Sequence, residues 1–217
     1  MTEPLRIVYL LEDTDLSGGV RIQLAQADAL IERGHQITIA TKGPPLTWTG
    51  STAEWQYIDS FTEIDPDRFD FLIGGFWTTV RPAFELAPSK AVHLCQGFEG
   101  SFRFYADRKA EIEQTYQLPI PKLVVSRYLV DICRGYFDDV TWIGQIVHES
   151  FYRMSAPADN QPLRVLLSGP SQVDLKGIED GYGAVAHARW NGAELDLVRV
   201  SPWAPGADEP VEAAAEF

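Results

Sequence analysis

The glycine pair Gly18-Gly19 stands where a polar loop gives way to an apolar pattern with helical spacing. Backbone amides at a helix N-terminus attract phosphates and hydroxyls, and glycine allows such a ligand to come close. The pair is therefore predicted to bind a ligand. The alternative is a tight turn that needs glycine only for its backbone angles. The spacing does not match Gly-x-Gly-x-x-Gly, which argues against an NAD or FAD site.

A second glycine-bearing turn, Gln96-Gly97-Phe98-Glu99-Gly100, follows a short apolar run. The amide of Gln96 and the carboxylate of Glu99 can hydrogen-bond the hydroxyls of a sugar. Glu99 is also the candidate acid or base of the chain, provided that its pKa is raised. The alternative is a surface turn in which Glu99 is solvated.

Two further residues could contact a ligand. Trp77 follows Gly74-Gly75 at the end of an apolar run, where an indole at the rim of a cleft stacks on a sugar ring; a core position is the alternative. Lys176 precedes a helical pattern and could meet a diphosphate as a point charge. A solvated loop lysine is the alternative there.

Composition narrows the classes of partner. The chain of 217 residues carries 18 Lys and Arg against 31 Asp and Glu, a formal net charge of -13. Such a chain repels nucleic acid and anionic lipid at long range, so nucleic acid is excluded as a main partner. Peripheral membrane association is left open, although no feature of the sequence indicates it.

The cysteines and histidines indicate a cytoplasmic protein without a metal site. Cys95 and Cys133 have no metal-type spacing and are expected to be buried and reduced. His148-Glu149 has no further ligand at suitable spacing, so no metal is expected. The first apolar run is too short for a signal sequence, and no run approaches the length of a membrane helix.

The elements that must position these residues alternate between strand and helix. Continuous apolar runs are typical of strands covered on both faces of a parallel sheet, and ligands bind beyond the carboxyl ends of such strands. The patterns predict strands over 5–11, 37–40, 55–58, 69–73, 91–95, 122–125, 140–143, 163–167 and 195–200, and helices over 20–33, 82–86, 108–116, 128–136 and 178–189. The expected fold is α/β, with a Rossmann-like parallel sheet and flanking helices.

The polar segment 155–162, which contains two prolines, is the predicted linker. It separates a first Rossmann-like domain, 1–154, from the beginning of a second, 163–217. One βαβ unit is too small to cover both faces of its own sheet. We therefore expect the second domain to be partial and the chain to be a fragment of a longer protein.

The order and spacing of these motifs resemble the retaining glycosyltransferases of family 4, which have the GT-B fold of two Rossmann-like lobes. The resemblance covers nearly the whole chain, and no single motif decides it. It is carried by Ser17-Gly18-Gly19-Val20, Arg33-Gly34-His35-Gln36-Ile37-Thr38-Ile39, Lys122-Leu123-Val124-Val125-Ser126-Arg127-Tyr128-Leu129, Leu163-Arg164-Val165-Leu166-Leu167-Ser168-Gly169-Pro170 and Asp174-Leu175-Lys176-Gly177-Ile178. Gln96-Gly97-Phe98-Glu99 is most similar to polysaccharide-type members, some of which transfer rhamnose.

The resemblance implies a glycosyltransferase that moves a sugar from a nucleotide sugar to a glycan or another acceptor. The first lobe would bind the acceptor, through Trp77, Gln96 and Glu99. The nucleotide sugar is the co-substrate and no other cofactor is implied; Gly18, Gly19 and Lys176 are the residues expected to bind it. Transfer would retain the anomeric configuration without a metal, and the family has no settled protein nucleophile.

Three departures set this chain apart from the family pattern. Pro170 stands where the family commonly has Arg, and Ile143-Gly144-Gln145 replaces an Asn-Gly before the linker. The chain also ends before the paired-glutamate motif that holds the donor, so this material is expected to be inactive alone. The alternative function is a non-catalytic module that binds carbohydrate or a partner.

Overall fold

The computed structural model describes residues 3–145, 162–202 and 204, which form two units. The first comprises Met1–Ser101 with Asp107–Val147, and the second Phe102–Ala106 with His148–Phe217. Most of the predicted linker lies outside the described residues, as do His148 and Glu149. The predicted domain boundaries therefore stay predictions.

The first unit contains one parallel sheet of seven strands with four flanking α-helices, which confirms the predicted Rossmann-like α/β fold. The strand order is β3-β2-β1-β4-β5-β6-β7. Its strands are β1 (Arg6–Leu11), β2 (Gln36–Thr41), β3 (Glu54–Tyr57), β4 (Phe71–Gly74), β5 (Ala91–Cys95), β6 (Lys122–Val124) and β7 (Val140–Trp142). Its helices are α1 (Gly18–Glu32), α2 (Trp77–Leu86), α3 (Lys109–Tyr116) and α4 (Arg127–Arg134).

The direction in which strands are added reverses between β1 and β4. After β1 the chain adds β2 and β3 on one side, and β4 then pairs with β1 on the other, with Leu10 opposite Gly74. In open α/β sheets the carboxyl ends of the strands at such a reversal border the ligand crevice. For this strand order the rule predicts a ligand crevice between the turns that follow β1 and β4.

The core follows from the apolar runs of the strands. β1 and β2 are buried at every position after the first, and β5 is buried throughout, as expected for strands covered on both faces. On one face the strands pack against α2 and the segments around it. This cluster comprises Val8, Leu10, Ala40, Ile58, Phe61, Ile64, Phe69, Leu72, Val80, Ala83, Ala91 and Ile120.

Helix α1 has the boundaries that its end residues favour. Ser17 is extended, and its side-chain oxygen accepts a hydrogen bond from the backbone N–H of Val20, which caps the helix. Gly34 follows the last turn with φ 91°, a conformation that glycine tolerates, and its N–H bonds the carbonyl of Ile31. The predicted end of the first helix at Gly34 is confirmed.

Four predicted boundaries differ from the structure by two residues or more: α1 begins at Gly18 rather than Val20, α4 ends at Arg134 rather than Tyr136, and the starts of α2 and β4 also differ. Helix α2 begins at Trp77 rather than Pro82, because the Thr79 side-chain oxygen accepts hydrogen bonds from the N–H groups of Gly75 and Phe76 and starts the helix five residues earlier. Pro82 lies inside the helix, although proline favours the first position. Strand β4 begins at Phe71, because the N–H of Phe69 instead bonds the carbonyl of Pro66 and closes a 3-10 turn.

In the second unit, two parallel strands, β8 (Leu163–Ser168) and β9 (Leu195–Val200), are connected by α5 (Ile178–Trp190). These elements were predicted within one residue at each end. Leu163 and Leu166 are exposed, so two strands and one helix leave part of the apolar sheet uncovered among the described residues. Across both units, no described helix combines the length and the apolar character needed to cross a membrane.

Candidate functional site

Three turns meet beyond the carboxyl ends of β1, β4 and β5. The side-chain Nε2 of Gln96, after β5, donates a hydrogen bond to the backbone oxygen of Gly19 across 3.2 Å. Gly75, after β4, packs against the side chain of Gln23 one turn into α1. We call the region bordered by Gly18-Gly19, Gly75 and Gln96 the switch-point crevice. The structure thus brings the predicted residues Gly19 and Gln96 into contact.

The approach of α2 to the end of β4 requires glycine at position 74, and Gly75 leaves room for the Gln23 side chain of α1. A Cβ atom added to Gly74 would lie 2.5 Å from the Cα of Val80, and one added to Gly75 would lie 2.5 Å from the Oε1 of Gln23. By contrast, nothing lies within 4 Å of a Cβ added to Gly18, so that side of the turn is open. Gly18 therefore leaves room next to the first amides of α1.

Helices α1 and α2 both begin at this edge of the sheet. Neither has an acidic residue in its first turn, so no carboxylate there offsets the positive end of the helix dipole. Such helix ends favour anions and hydroxyl oxygens. This is the chemistry that the sequence predicted for Gly18-Gly19.

Gln23 is a candidate residue that the sequence did not reveal. It is buried, its Nε2 lies 3.4 Å from the oxygen of Gly19, and its Oε1 has no hydrogen-bond partner among the described residues. A polar residue inside an amphipathic helix pattern gives no sign of burial. Only the neighbouring Gly75, which is distant in sequence, places Gln23 at the crevice.

The turn after β1 is also fastened to the turn after β2. The Trp48 indole N–H donates to the Thr14 carbonyl at 2.7 Å, and the Thr14 hydroxyl donates to the Pro44 carbonyl at 2.7 Å. Glu12 forms an ion pair with Lys42. The acidic residues that follow β1 therefore include one carboxylate already engaged by a lysine.

Trp77 occupies the core position that the sequence left as the alternative. It lies in the first turn of α2, its side chain is 7% exposed, and the Arg108 guanidinium lies 5.0 Å from the ring centroid. An indole packed in this way offers little surface to a sugar ring. Its predicted contact with an acceptor stays untested.

Glu99 is buried rather than solvated. It is 5% exposed, and its Oε2 lies 2.5 Å from the hydroxyl oxygen of Tyr116 on α3. Burial raises the pKa of Glu99, and the hydrogen bonds with Tyr116 and with its own backbone N–H only partly offset this effect. The raised pKa is the condition set above for an acid or base, but the side chain points into the protein.

Other titratable groups lie buried near the Gln96 turn. The pKa of His93 on β5 is lowered to about 3 by burial and by the charge of Lys122, and burial lowers the pKa of Lys122 to about 8. Lys122 donates to the carbonyls of Leu118 and Ile120. The His93 ring packs edge-on against the ring of Tyr116, at 4.8 Å between centroids, which indicates a structural role.

The two cysteines are free and buried, as predicted. The Sγ of Cys133 lies 3.7 Å from the Sγ of Cys95, and Cys95 in turn donates to the carbonyl of Gly97 at 3.2 Å. The hydrogen bond from Cys133 and burial raise the pKa of the Cys95 thiol. Among the described residues, no group of three or more His, Cys, Asp and Glu side chains could hold a metal ion.

Lys176 belongs to the second unit, whereas Gly18 and Gly19 belong to the first, so their predicted joint role stays a prediction. Lys176 is exposed at the carboxyl end of β8, and its side-chain stem packs on Gly169, which has φ 123°. The first turn of α5 contains Glu179 and Asp180, which reduce the attraction of that helix end for an anion.

Arg199 on β9 is a second basic residue near Lys176 that the sequence analysis did not identify. Its guanidinium donates to the carbonyls of Leu167 and Gly169 at 2.8 and 2.9 Å and thereby holds the turn after β8. A single arginine within an apolar strand was the signal for it. Pro170 replaces the arginine of the family pattern, and in this chain Arg199 instead stabilises the turn after β8, next to Lys176.

No family model and no curated protein sequence matches the chain. Several solved structures do match it. The chain is similar to the glycotransferase of kitacinnamycin (TM-score 0.59, 15% identity, 98% of this chain and 70% of that one). It is also similar to an alpha-glucosyltransferase solved with UDP-glucose and DNA containing an abasic site (TM-score 0.56, 14% identity, 92% of this chain and 58% of that one). A third similar structure is WaaG, a glycosyltransferase involved in lipopolysaccharide biosynthesis (TM-score 0.52, 10% identity, 89% of this chain and 70% of that one). At these identities the likeness establishes a shared Rossmann-like fold.

Proposed function

We propose that this chain is the acceptor-binding lobe of a nucleotide-sugar-dependent glycosyltransferase together with the beginning of its donor-binding lobe. The observation that carries the proposal is the switch-point crevice, where two helix N-termini free of first-turn carboxylates meet the Gln96 amide and the Gly18-Gly19 turn. Amide donors and uncompensated helix ends suit the hydroxyls of a saccharide and the phosphates of a nucleotide sugar.

The structural neighbours support this class of reaction. They are glycosyltransferases, one was solved with UDP-glucose, and another takes part in lipopolysaccharide biosynthesis. A saccharide acceptor and a nucleotide-sugar donor are accordingly the proposed partners. Transfer with retention of configuration and without a metal or other cofactor belongs to the proposal, as do polysaccharide biosynthesis and a cytoplasmic location.

The proposed roles are supported by the surroundings of each side chain within its own unit. Gln96 is the best placed acceptor residue, because beyond its bond to Gly19 its second N–H and its carbonyl oxygen have no partner among the described residues. Gly18 and Gly19 would admit the donor to the amides of α1, and Lys176 would bind its diphosphate. Glu99 contributes by holding the turn that carries Gln96.

A thermal-shift screen against UDP-, GDP- and dTDP-sugars tests the donor half of the proposal. A ligand at a concentration of about 100 times its Kd should stabilise the protein by about 2.7 kcal/mol. Lys176→Ala should reduce this shift, whereas Lys109→Ala, an exposed lysine on α3, should leave it unchanged.

The outcomes separate the candidate functions. A shift with one nucleotide sugar that depends on Lys176 supports the transferase. No shift with any nucleotide sugar contradicts donor binding, and a shift with oligosaccharides alone would point to the non-catalytic carbohydrate-binding module. A shift that Lys176→Ala does not reduce would remove Lys176 from the donor site.

A further inference from the structure

The hydroxyl of Tyr116 has two oxygen neighbours at short distance. It lies 2.6 Å from the backbone oxygen of Gly97 and 2.5 Å from the Oε2 of Glu99. Both distances are at the short end of the range for O–H···O hydrogen bonds. Tyr116 is fully buried and Glu99 nearly so, which leaves little room for solvent between these atoms.

One hydroxyl proton cannot serve both contacts. A phenol supplies one donor, a backbone carbonyl is only an acceptor, and an ionised carboxylate is only an acceptor. If Glu99 were ionised, one of the two short oxygen pairs would contain no proton and would be repulsive. If Glu99 is protonated, it donates to Tyr116 and Tyr116 donates to Gly97, so that each pair contains one proton.

Among the residues that the structure describes, no lysine, arginine or histidine hydrogen-bonds to or pairs with Glu99. The elements packed around it contribute the Tyr116 hydroxyl from α3, the Cys95 thiol from β5 and the Cys133 thiol from α4. Nearby, the Nζ of Lys122 donates to the carbonyls of Leu118 and Ile120.

The rings of His93, Phe98 and Tyr136 pack against Tyr116. The ring of His93 packs against Tyr116 at 4.8 Å between centroids, and the Tyr136 hydroxyl lies 3.3 Å from the Oε1 of Glu113. Burial raises the pKa of Glu99, which agrees with the conclusion that each of the two short oxygen pairs contains one proton.

We propose that Glu99 is a neutral carboxylic acid in the folded protein, and that Glu99 and Tyr116 are positioning residues for the turn that carries Gln96. Tyr116 fixes the carbonyl of Gly97, the residue that follows Gln96, and Glu99 closes the turn from its other side. The positioning role rests on the proposed function, because it matters only if Gln96 serves a ligand. The protonation state does not depend on that function.

The pH dependence of folding tests the protonation state. The unfolded chain releases the Glu99 proton above a pKa of about 4.3, whereas the folded protein keeps it, so the folding equilibrium constant should fall about tenfold per pH unit above that value. Glu99→Gln carries a neutral donor and should lack this fall. The ratio of its folding constant to that of the wild type should therefore rise about tenfold per pH unit from about pH 5. A constant ratio would overturn the proposal.

Carbon-13 NMR of the glutamate side-chain carboxyls reads the same state directly and needs no unfolding. Glu99→Gln identifies the resonance by its disappearance from the spectrum. At neutral pH we expect this resonance at the position of a protonated acid, while those of exposed glutamates lie at the carboxylate position. A Glu99 resonance at the carboxylate position would contradict the neutral acid.

The positioning role is tested through the side-chain amide resonances of Gln96, which report its hydrogen bond to Gly19. Tyr116→Phe should shift or broaden them, whereas Glu99→Gln should preserve them because its amide can donate to Tyr116. Tyr128→Phe, which changes an exposed tyrosine on α4, is the control. Gln96 resonances unchanged by Tyr116→Phe would refute the positioning role. Neither NMR test uses a ligand, so a failed donor screen would leave their results intact.

Discussion

Replacing His93 by leucine should make the first unit less sensitive to acid. His93 is fully buried on β5, neither ring nitrogen has a hydrogen-bond partner among the described residues, and Lys122 lies opposite it on β6. Burial, with a smaller contribution from Lys122, lowers the pKa of His93 to about 3. A protonated imidazole at this position would be an uncompensated buried charge.

The magnitude follows from proton linkage. The unfolded chain binds a proton at His93 below a pKa of about 6.5, whereas the folded protein does so only below about 3, so stability is lost as the pH falls through this window. The loss is about 1.4 kcal/mol per pH unit and approaches about 5 kcal/mol across the window.

Urea unfolding of the wild type and of His93→Leu between about pH 7 and pH 4 measures this effect. The free energy of unfolding of the variant, minus that of the wild type, should rise by about 1.4 kcal/mol per pH unit below about pH 6.5. His187→Leu, on the exposed surface of the second unit, is the control and should leave the unfolding of the first unit unchanged. A difference that does not vary with pH would refute the assignment of His93 as a buried neutral group.

Three further predictions concern the switch-point crevice and its support. Gly74→Ala should lower the free energy of unfolding by about 1 to 3 kcal/mol, because its Cβ would meet the backbone of α2, whereas Gly18→Ala should be neutral or stabilise by up to about 1 kcal/mol. Equal stabilities of the two variants in urea would contradict this close approach. Ser17→Ala removes the cap of α1 and should cost about 1 kcal/mol in the same assay, and no loss would mean that the cap contributes nothing. Between about pH 8 and pH 10 the free energy of unfolding of the wild type should rise, relative to that of Lys122→Met, by up to about 1.4 kcal/mol per pH unit. The reason is that Lys122 keeps its proton to a higher pH in the unfolded chain than in the folded protein. A difference that does not change with pH would argue against a lowered pKa of Lys122.

The strands and most helices could be predicted because their signals are local. The apolar runs of β1, β5 and β9 and the glycine after α1 fix those elements within one or two residues. The start of α2 was missed because it depends on the Thr79 side chain bonding the backbone behind it, a contact that no apolar pattern encodes.

The proximity of the candidate residues was predicted only where it depends on chain order. Gly19 and Gln96 follow strands, so their shared edge could be inferred from a parallel sheet. The inward orientation of Glu99 could not, because it depends on Tyr116, 17 residues away on another element. Ile112 and Tyr116 are four residues apart, a spacing that was the sign in the sequence of a core-facing side on this charged helix, and both are buried.

The turns that border the sheet are linked side to side: Trp48 and Thr14 join the second to the first, and Gln96 joins the fifth-strand turn to Gly19. Because these hydrogen bonds already order the turns, a ligand that bound at this edge would cost little further conformational entropy. The same linkage means that a substitution in one turn will be felt in its neighbours, and ligand preference should evolve through coordinated changes around the whole rim.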